Sequence, residues 1–510
     1  MVRLEAETNI EVLRQTARLL LAENERLHTR LLALTRDLAV ARGQVATQLE
    51  LEIGRLQEEL ARRTRALFGP SSEKRPAADA QAANETPAAG AQRGHGPHAQ
   101  AALPLVERVH ELEVPDQICP ACGGALQAWA EQFEEAEEID IVERSFRIIK
   151  HRRQKYRCRC GGCVETALGP PKLIPGGRYS VEFAVAAAIA KYTDHLPLAR
   201  QVRQMERLGL HVDTQTLWDQ LWALSRHLLP TYKALHAYVL AAPVIGADET
   251  TWPLLEKGQT RKWWAWAVTR PDAVCYRILA TRSAAAAGTV LAGYCGIVVV
   301  DGYSAYRTLQ KERAAGGTPS FILASCMAHA RRTFVEAEPD YPQATEMLVH
   351  FRELYRIEAQ ARTVVETERL RLLAELRRTQ SRAVMQQMSE WLMAHRRTVL
   401  PRSGLGKAIS YTLELWASLS LFLDNAAIPI DNNQTERAIR GVAVGRKNHY
   451  GSRSLRGTEV AAIFYSLIES AKLAGVEPAH YLREATLRAI TTPGTVTLPT
   501  DLQALRPNTS

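Results

Sequence analysis

Over residues 10–38 apolar side chains return every seven positions. Leu13, Leu20, Leu27 and Leu34 hold one place in the repeat; Ile10, Ala17, Asn24, Leu31 and Leu38 hold the other. Two structures carry such a beat: a coiled-coil seam, with Asn24 setting register and oligomer state, or one amphipathic helix on the protein's own core. Four in-phase heptads favour the seam, which makes residues 1–69 a coiled-coil or helical region and the chain a homodimer or higher oligomer. Residues 70–103 are rich in Ala, Gly, Pro and polar side chains, cannot bury a core, and read as a flexible linker. Helical spacing governs 178–240, where a helix over 200–209 is followed by a second opening at Asp213-Thr214. Two helices around a Gly-containing turn resemble a helix-turn-helix, a pattern that ordinary packed helix pairs share.

Strand patterns begin at Pro243. Val244-Ile245-Gly246-Ala247-Asp248 is a short apolar strand ending in an acid, and 262–269 and 273–280 are β-rich. A helix is expected over 283–292. Ile297-Val298-Val299-Val300-Asp301 then reads as a strand buried on both faces, again ending in an acid. A helix near 305–313, a strand over 321–326 and a helix from Ala328 follow. Three strands, helix, strand, helix, strand, helix is the order of a ribonuclease H-like fold. The whole is a multidomain α/β chain, with a ribonuclease H-like catalytic core over 241–475 interrupted by a helical insertion at about 339–424. A C-terminal helix and tail occupy 476–510.

The 510 residues are 46% hydrophobic and 23% charged, an ordinary globular composition with room for three or four domains. The longest apolar run, 183–190, is far shorter than the ~20 residues of a spanning helix, and the N-terminus mixes charges at once. No membrane partner and a cytoplasmic location are expected. Lys and Arg number 64 against 55 Asp and Glu, and the excess is clustered, which points to a polyanion.

Five of eight cysteines crowd into 104–170, which in a reducing compartment points to metal, with free thiols in a turn as the alternative. Cys119 and Cys122 form one C-x2-C knuckle and Cys160 and Cys163 repeat it, giving a tetrahedral zinc set with Cys158 as an alternative ligand. Between the knuckles, 131–143 carries seven acids and no base, and 144–159 eight bases and no acid. The basic half, including Arg152, Arg153 and Lys155, alternates with apolar residues like a strand with one positive face. It suits the DNA backbone, or pairs with the acidic stretch.

If Asp248 and Asp301 end neighbouring strands, two carboxylates stand side by side and repel unless a divalent cation lies between them. Asp431-Asn432-Asn433-Gln434-Thr435-Glu436 supplies a third acid early in a helix, although Glu436 could equally pair with Arg440 one turn on. Arg440, Arg446 and Lys447 belong to an acid-free stretch, 437–456, punctuated by Gly441, Gly445 and Gly451. It is expected to be a basic loop that grips a phosphate chain. His329 is a weaker candidate, equally suited to an interior hydrogen bond.

The run from Ile430 through Arg440, continuing through Val442-Ala443-Val444-Gly445-Arg446-Lys447-Asn448, resembles the C-terminal catalytic motif of insertion-sequence 66 family transposases of the TnpC type. Ala247-Asp248-Glu249-Thr250, Val300-Asp301-Gly302-Tyr303 and Cys326-Met327-Ala328-His329-Ala330-Arg331-Arg332 resemble that family's other core motifs. Leu67-Phe68-Gly69-Pro70-Ser71-Ser72-Glu73-Lys74, the cysteine ribbon and Tyr192-Thr193-Asp194-His195 look like its N-terminal half. The resemblance implies a DDE transposase with Asp248, Asp301 and Glu436 as the triad. That triad would hold two Mg²⁺ or Mn²⁺ ions for phosphodiester cleavage and strand transfer on double-stranded DNA, with structural Zn²⁺ in the ribbon. Accessory proteins of the same element are possible partners. Two rival functions share these features: a zinc-ribbon DNA-binding regulator without chemistry, and a nuclease of the same fold that cuts and never rejoins.

Overall fold

The computed structural model describes Ala125 and residues 145–157, 164–256 and 258–503. The heptad region, the linker and the cysteines 119, 122, 158, 160 and 163 lie outside the described residues. The chain divides into two compact units, Ser71–Ser145 and the remainder, and every element below belongs to the second.

Two short strands come first, β1 (Lys155–Arg157) and β2 (Val164–Thr166), paired antiparallel with Arg157 opposite Val164. Among the described residues, the strand expected over 144–159 is confined to Lys155–Arg157. Residues 145–154 are irregular, though the Gln154 carbonyl accepts from Ala167 N at 3.0 Å and Phe146 packs edge-on against Phe183, 6.3 Å between centroids. Arg152, Arg153 and Lys155 are exposed.

Three helices follow: α1 (Val181–Tyr192), α2 (Leu198–Arg207) and α3 (Thr214–Leu240). Ser180 caps α1 by accepting from Phe183 N at 3.2 Å, and Asp213 caps α3 by accepting from Thr216 N at 2.6 Å. Residues 178–240 share their core with the sheet. Leu217, Leu221, Leu224, Leu228, Leu235 and Val239 form a stripe along α3, all fully buried in the same core as the sheet. Burying that stripe takes more surface than α1 and α2 offer, so the sheet supplies the rest.

The five-stranded sheet is built from β3 (Val244–Glu256), β4 (Gln259–Arg270), β5 (Ala273–Leu279), β6 (Ile297–Val300) and β7 (Ile322–Ser325). Helices α4 (Ala284–Val290) and α5 (Ser304–Ala315) connect its later strands. The order is β5-β4-β3-β6-β7, antiparallel through β5, β4 and β3 and parallel through β3, β6 and β7. The strand expected to end at Asp248 instead runs on to Glu256. Only Val244, Ile245 and Gly246 pair with β6; from Ala247 onward β3 continues as a hairpin with β4 alone. Pro253 is tolerated there because β6 does not extend alongside it, and its carbonyl accepts from Ser452 N at 3.1 Å.

Helices α6 (Met327–Ala337), α7 (Ala344–Gln360), α8 (Glu366–Leu376), α9 (Arg382–Arg396), α10 (Gly404–Glu414) and α11 (Trp416–Leu419) form a layer with its own core. It packs on Val299 and Ala324, while Val298 and Val300 point into the larger core. Thus β6 is buried on both faces. One π-turn, Arg377–Ser381, links α8 to α9. The chain then returns through α12 (Asn433–His449), α13 (Leu455–Leu473), α14 (Pro478–Thr491) and α15 (Pro499–Gln503). Helix α13 closes the free edge of β5. Val274 N donates to Ser470 Oγ at 3.0 Å and Tyr276 N to Ser466 Oγ at 2.8 Å, so that edge offers no template to another chain. Among the described residues no helix is long and apolar enough to cross a membrane.

Candidate active site

Register places the first two acids. Gly246 is opposite Val299 in the last paired position between β3 and β6. Asp248 and Asp301 are each two residues further on, so they stand abreast on one face where the two strands part. Asp248 Oδ1 accepts from Glu249 N at 2.7 Å, and Asp301 Oδ1 from Tyr303 N at 2.8 Å. Tyr411, from the helical layer, donates to the Asp301 carbonyl at 2.7 Å.

Glu249 points to the opposite face and is already satisfied. Arg282 Nε donates to its Oε1 at 2.6 Å and Tyr306 Oη to its Oε2 at 2.8 Å. Among the described residues nothing cationic compensates Asp248 in that way. Burial, then the charges of Glu249, Asp301 and Glu436, push its carboxyl up to about 7. Acids crowded together without a cation raise one another in this manner.

Three residues of the Asn-Asn-Gln-Thr run before Glu436, Asn432, Gln434 and Thr435, fix α12 across the sheet. Asn432 Nδ2 donates to the Ala247 carbonyl at 2.9 Å, one residue before Asp248, and Asn432 N donates to Cys326 Sγ at 3.2 Å. Asn433 is held by Asp431, whose Oδ1 accepts from the Asn433 backbone. Gln434 Nε2 donates to the Arg270 carbonyl at 2.9 Å. The Thr435 and Thr269 hydroxyls bond at 2.7 Å. Glu436 then falls in the first turn of α12, where a helix N-terminus favours negative charge.

Glu436 makes no ion pair with Arg440 among the described residues; Arg440 is exposed. The partner is His329. Its Nδ1 lies 3.6 Å from Glu436 Oε1, and both atoms are buried without a hydrogen bond. Cys326 completes a group of three donor atoms within 4.8 Å of one another. Cys326 is named above only within a family motif and given no role there, yet Cys326 and His329 stand at i, i+3 around the start of α6, the spacing that puts two side chains on one face.

The expected basic loop is not a loop. Residues 433–449 are one helix, and Gly441 and Gly445 lie inside it, facing Glu469 and Tyr465 of α13. A Cβ on Gly445 would stand 1.8 Å from Tyr465 Oη, so the glycine serves close helix packing. Arg446 is half-buried and ties α12 to β3, donating to the Thr250 and Thr251 hydroxyls at 2.7 Å each and to the Thr251 carbonyl. Lys447 is exposed. Past the helix, Tyr450 is left-handed at φ 58° and exposed, while Ser452 clamps the loop to the hairpin by accepting from Leu255 N at 2.7 Å.

Asp248, Asp301 and Glu436 offer oxygen donors of the kind a hard divalent cation takes, one with its pKa raised by burial and acidic neighbours and one with a buried, unpartnered oxygen. Among the described residues the three carboxylates are not gathered as closely as Cys326, His329 and Glu436, whose donor atoms lie within 4.8 Å of one another.

Two family models match the chain. Residues 176–460 match the model of the transposase IS66 family, a span that takes in all three acids. Residues 116–161 match the zinc-finger binding domain of transposase IS66; that span includes Cys119, Cys122, Cys158 and Cys160 and stops before Cys163. Two Sinorhizobium fredii proteins are similar, both described as uncharacterized. Protein y4jD is 34% identical over 74% of this chain and 76% of its own length. Protein y4qI is 34% identical over 76% of this chain and 72% of its own length. The chain belongs to the IS66 family of transposases and carries that family's zinc-finger domain.

Proposed function

We propose that this chain is a DDE transposase, in which Asp248, Asp301 and Glu436 direct divalent-cation-dependent phosphodiester cleavage and strand transfer on the ends of an insertion sequence. The observation that carries the reading is the shared register of Asp248 and Asp301, with Glu436 stapled across the same strand by Asn432. A strand order of β5-β4-β3-β6-β7, with the acids where β3 and β6 diverge, supports a ribonuclease H-like core.

The three carboxylates would hold Mg²⁺ or Mn²⁺, which when bound supply Lewis-acid activation of water or a DNA 3′-hydroxyl and stabilise the leaving oxygen. The chain's own residues do the rest. Asn432 and the Thr435–Thr269 contact fix the helix that brings Glu436, and Arg446 holds the same helix against Thr250 and Thr251. Arg440 and Lys447, exposed along α12, would contact DNA phosphates, and so would the exposed Arg152, Arg153 and Lys155 within the span that matches the zinc finger. Zinc belongs to Cys119, Cys122 and two of Cys158, Cys160 and Cys163. The heptads of residues 10–38 pair two or more copies.

The test is a strand-transfer assay on labelled element ends with Mg²⁺. Wild type joins the cut end to a target and Asp301→Asn does neither. Cleavage without joining would identify a nuclease; binding without cleavage, unchanged by Asp248→Ala, would identify a DNA-binding regulator.

A further inference from the structure

Cys326, His329 and Glu436 bring a thiol, an imidazole and a carboxylate together at the mouth of the sheet. β7 ends at Ser325 and α6 begins at Met327, so Cys326 is the residue at the junction and His329 lies on the first turn. Glu436 arrives from the first turn of α12. No other His, Cys, Asp and Glu side chains among the described residues converge in this way. Two donor atoms of the trio have nothing to bond. His329 Nδ1 and Glu436 Oε1 are both buried, and their 3.6 Å separation is too long for a hydrogen bond. Buried polar atoms are seldom left so, and a cation between them would satisfy both.

We propose that these three residues form a second cation site, selective for a thiophilic divalent ion of the Zn²⁺ or Cd²⁺ class, and that it competes with the hard-ion centre for Glu436. The competition rests on Glu436 being the third acid; the site itself stands on its own geometry. A mixed sulfur, nitrogen and oxygen set suits zinc-like ions, whereas Mg²⁺ keeps to oxygen. Coordination replaces the Cys326 S–H bond with a metal–sulfur bond and releases the proton to solvent. Three protein ligands leave a fourth position for water. A carboxylate engaged here is drawn away from Asp248 and Asp301, so occupancy inhibits the Mg²⁺-dependent reaction.

Cadmium alone is the probe. The full chain, its zinc finger first saturated with Zn²⁺, is titrated with Cd²⁺, and the thiolate-to-cadmium absorption in the near ultraviolet is compared between variants. Wild type is expected to bind one equivalent more than Cys326→Ser, and His329→Gln to bind that equivalent about 10-fold more weakly or worse. Serine still accepts the Asn432 N–H, so an unchanged melting temperature shows Cys326→Ser to be folded. Identical titrations of wild type and Cys326→Ser overturn the site. Asp248→Asn is expected to keep the cadmium signal, which separates this result from any failure of the DNA chemistry. In the cleavage assay Zn²⁺ should slow wild type and spare Cys326→Ser; equal slowing of both overturns the sharing of Glu436.

Discussion

Gly246 and Thr435 approach so closely that a Cβ on Gly246 would stand 2.1 Å from the Thr435 hydroxyl, and 2.7 Å from both Asn432 Oδ1 and Thr269 Oγ1. No side chain other than hydrogen fits between β3 and α12 at this level. Gly246→Ala should therefore lower stability by about 1–3 kcal/mol and displace Glu436 from Asp248. Thermal melting checks the first part and Mg²⁺-dependent DNA cleavage the second, with cleavage lost even where the protein remains folded.

Two other glycines should respond in opposite directions. Gly445→Ala drives a methyl into Tyr465 Oη and should destabilise by about 1–3 kcal/mol. Gly441→Ala meets only Glu469 Oε1, at 3.4 Å, and should be neutral or stabilising by up to about 1 kcal/mol, since alanine is the better helix former. Denaturant unfolding of the pair distinguishes packing from a phosphate-gripping loop, in which both changes would be silent.

Burial and its acidic neighbours hold Asp248 up at about 7, from 3.8, with no cation bound. Between about pH 4 and 7 the native chain keeps a proton that the unfolded chain has released, so this group's contribution to stability falls as pH rises through that window. Asp248→Asn should then be more stable than wild type at pH 8 by about 2–4 kcal/mol, and indistinguishable at pH 4. Melting curves without added Mg²⁺ check it. Adding Mg²⁺ should stabilise wild type alone.

Arg377 is fully buried in the π-turn and forks onto Glu358, Nε to Oε1 at 2.7 Å and Nη2 to Oε2 at 2.8 Å. Its Nη1 also donates to the Phe422 and Ile428 carbonyls at 2.9 Å, fixing the segment that leads to Asp431. Arg377→Ala strands a buried carboxylate and should cost about 3–5 kcal/mol. Arg377→Lys cannot restore the planar fork and should recover little of it. Chemical denaturation measures both.

The strand cores of this fold were legible because Ile297-Val298-Val299-Val300 is apolar without interruption, and Asp213 and Ser283 cap the helices they precede. The length of β3 was hidden. Asp248 reads locally as a turn residue, and only the long-range hairpin with β4 carries the strand onward to Glu256. Which of Asp248 and Glu249 faces α12 is likewise a matter of register, absent from either residue's identity. Residues 431–436 could be placed early in a helix, but not what each side chain holds, since Ala247, Thr269 and Arg270 lie more than 160 positions away. Gly441 and Gly445 misled because glycine among bases reads as loop; their four-residue spacing was the sign of one helix face meeting another.

Manganese binding tests the convergence of the three acids most directly. With the zinc finger loaded with Zn²⁺, Mn²⁺ titrations followed by electron paramagnetic resonance are run on wild type, Asp248→Asn, Asp301→Asn and Glu436→Gln. Wild type should bind Mn²⁺, each single substitution should weaken that binding about 10-fold or more, and Glu249→Gln should weaken it far less. Mn²⁺ binding that is indifferent to all three substitutions would contradict a shared cation centre.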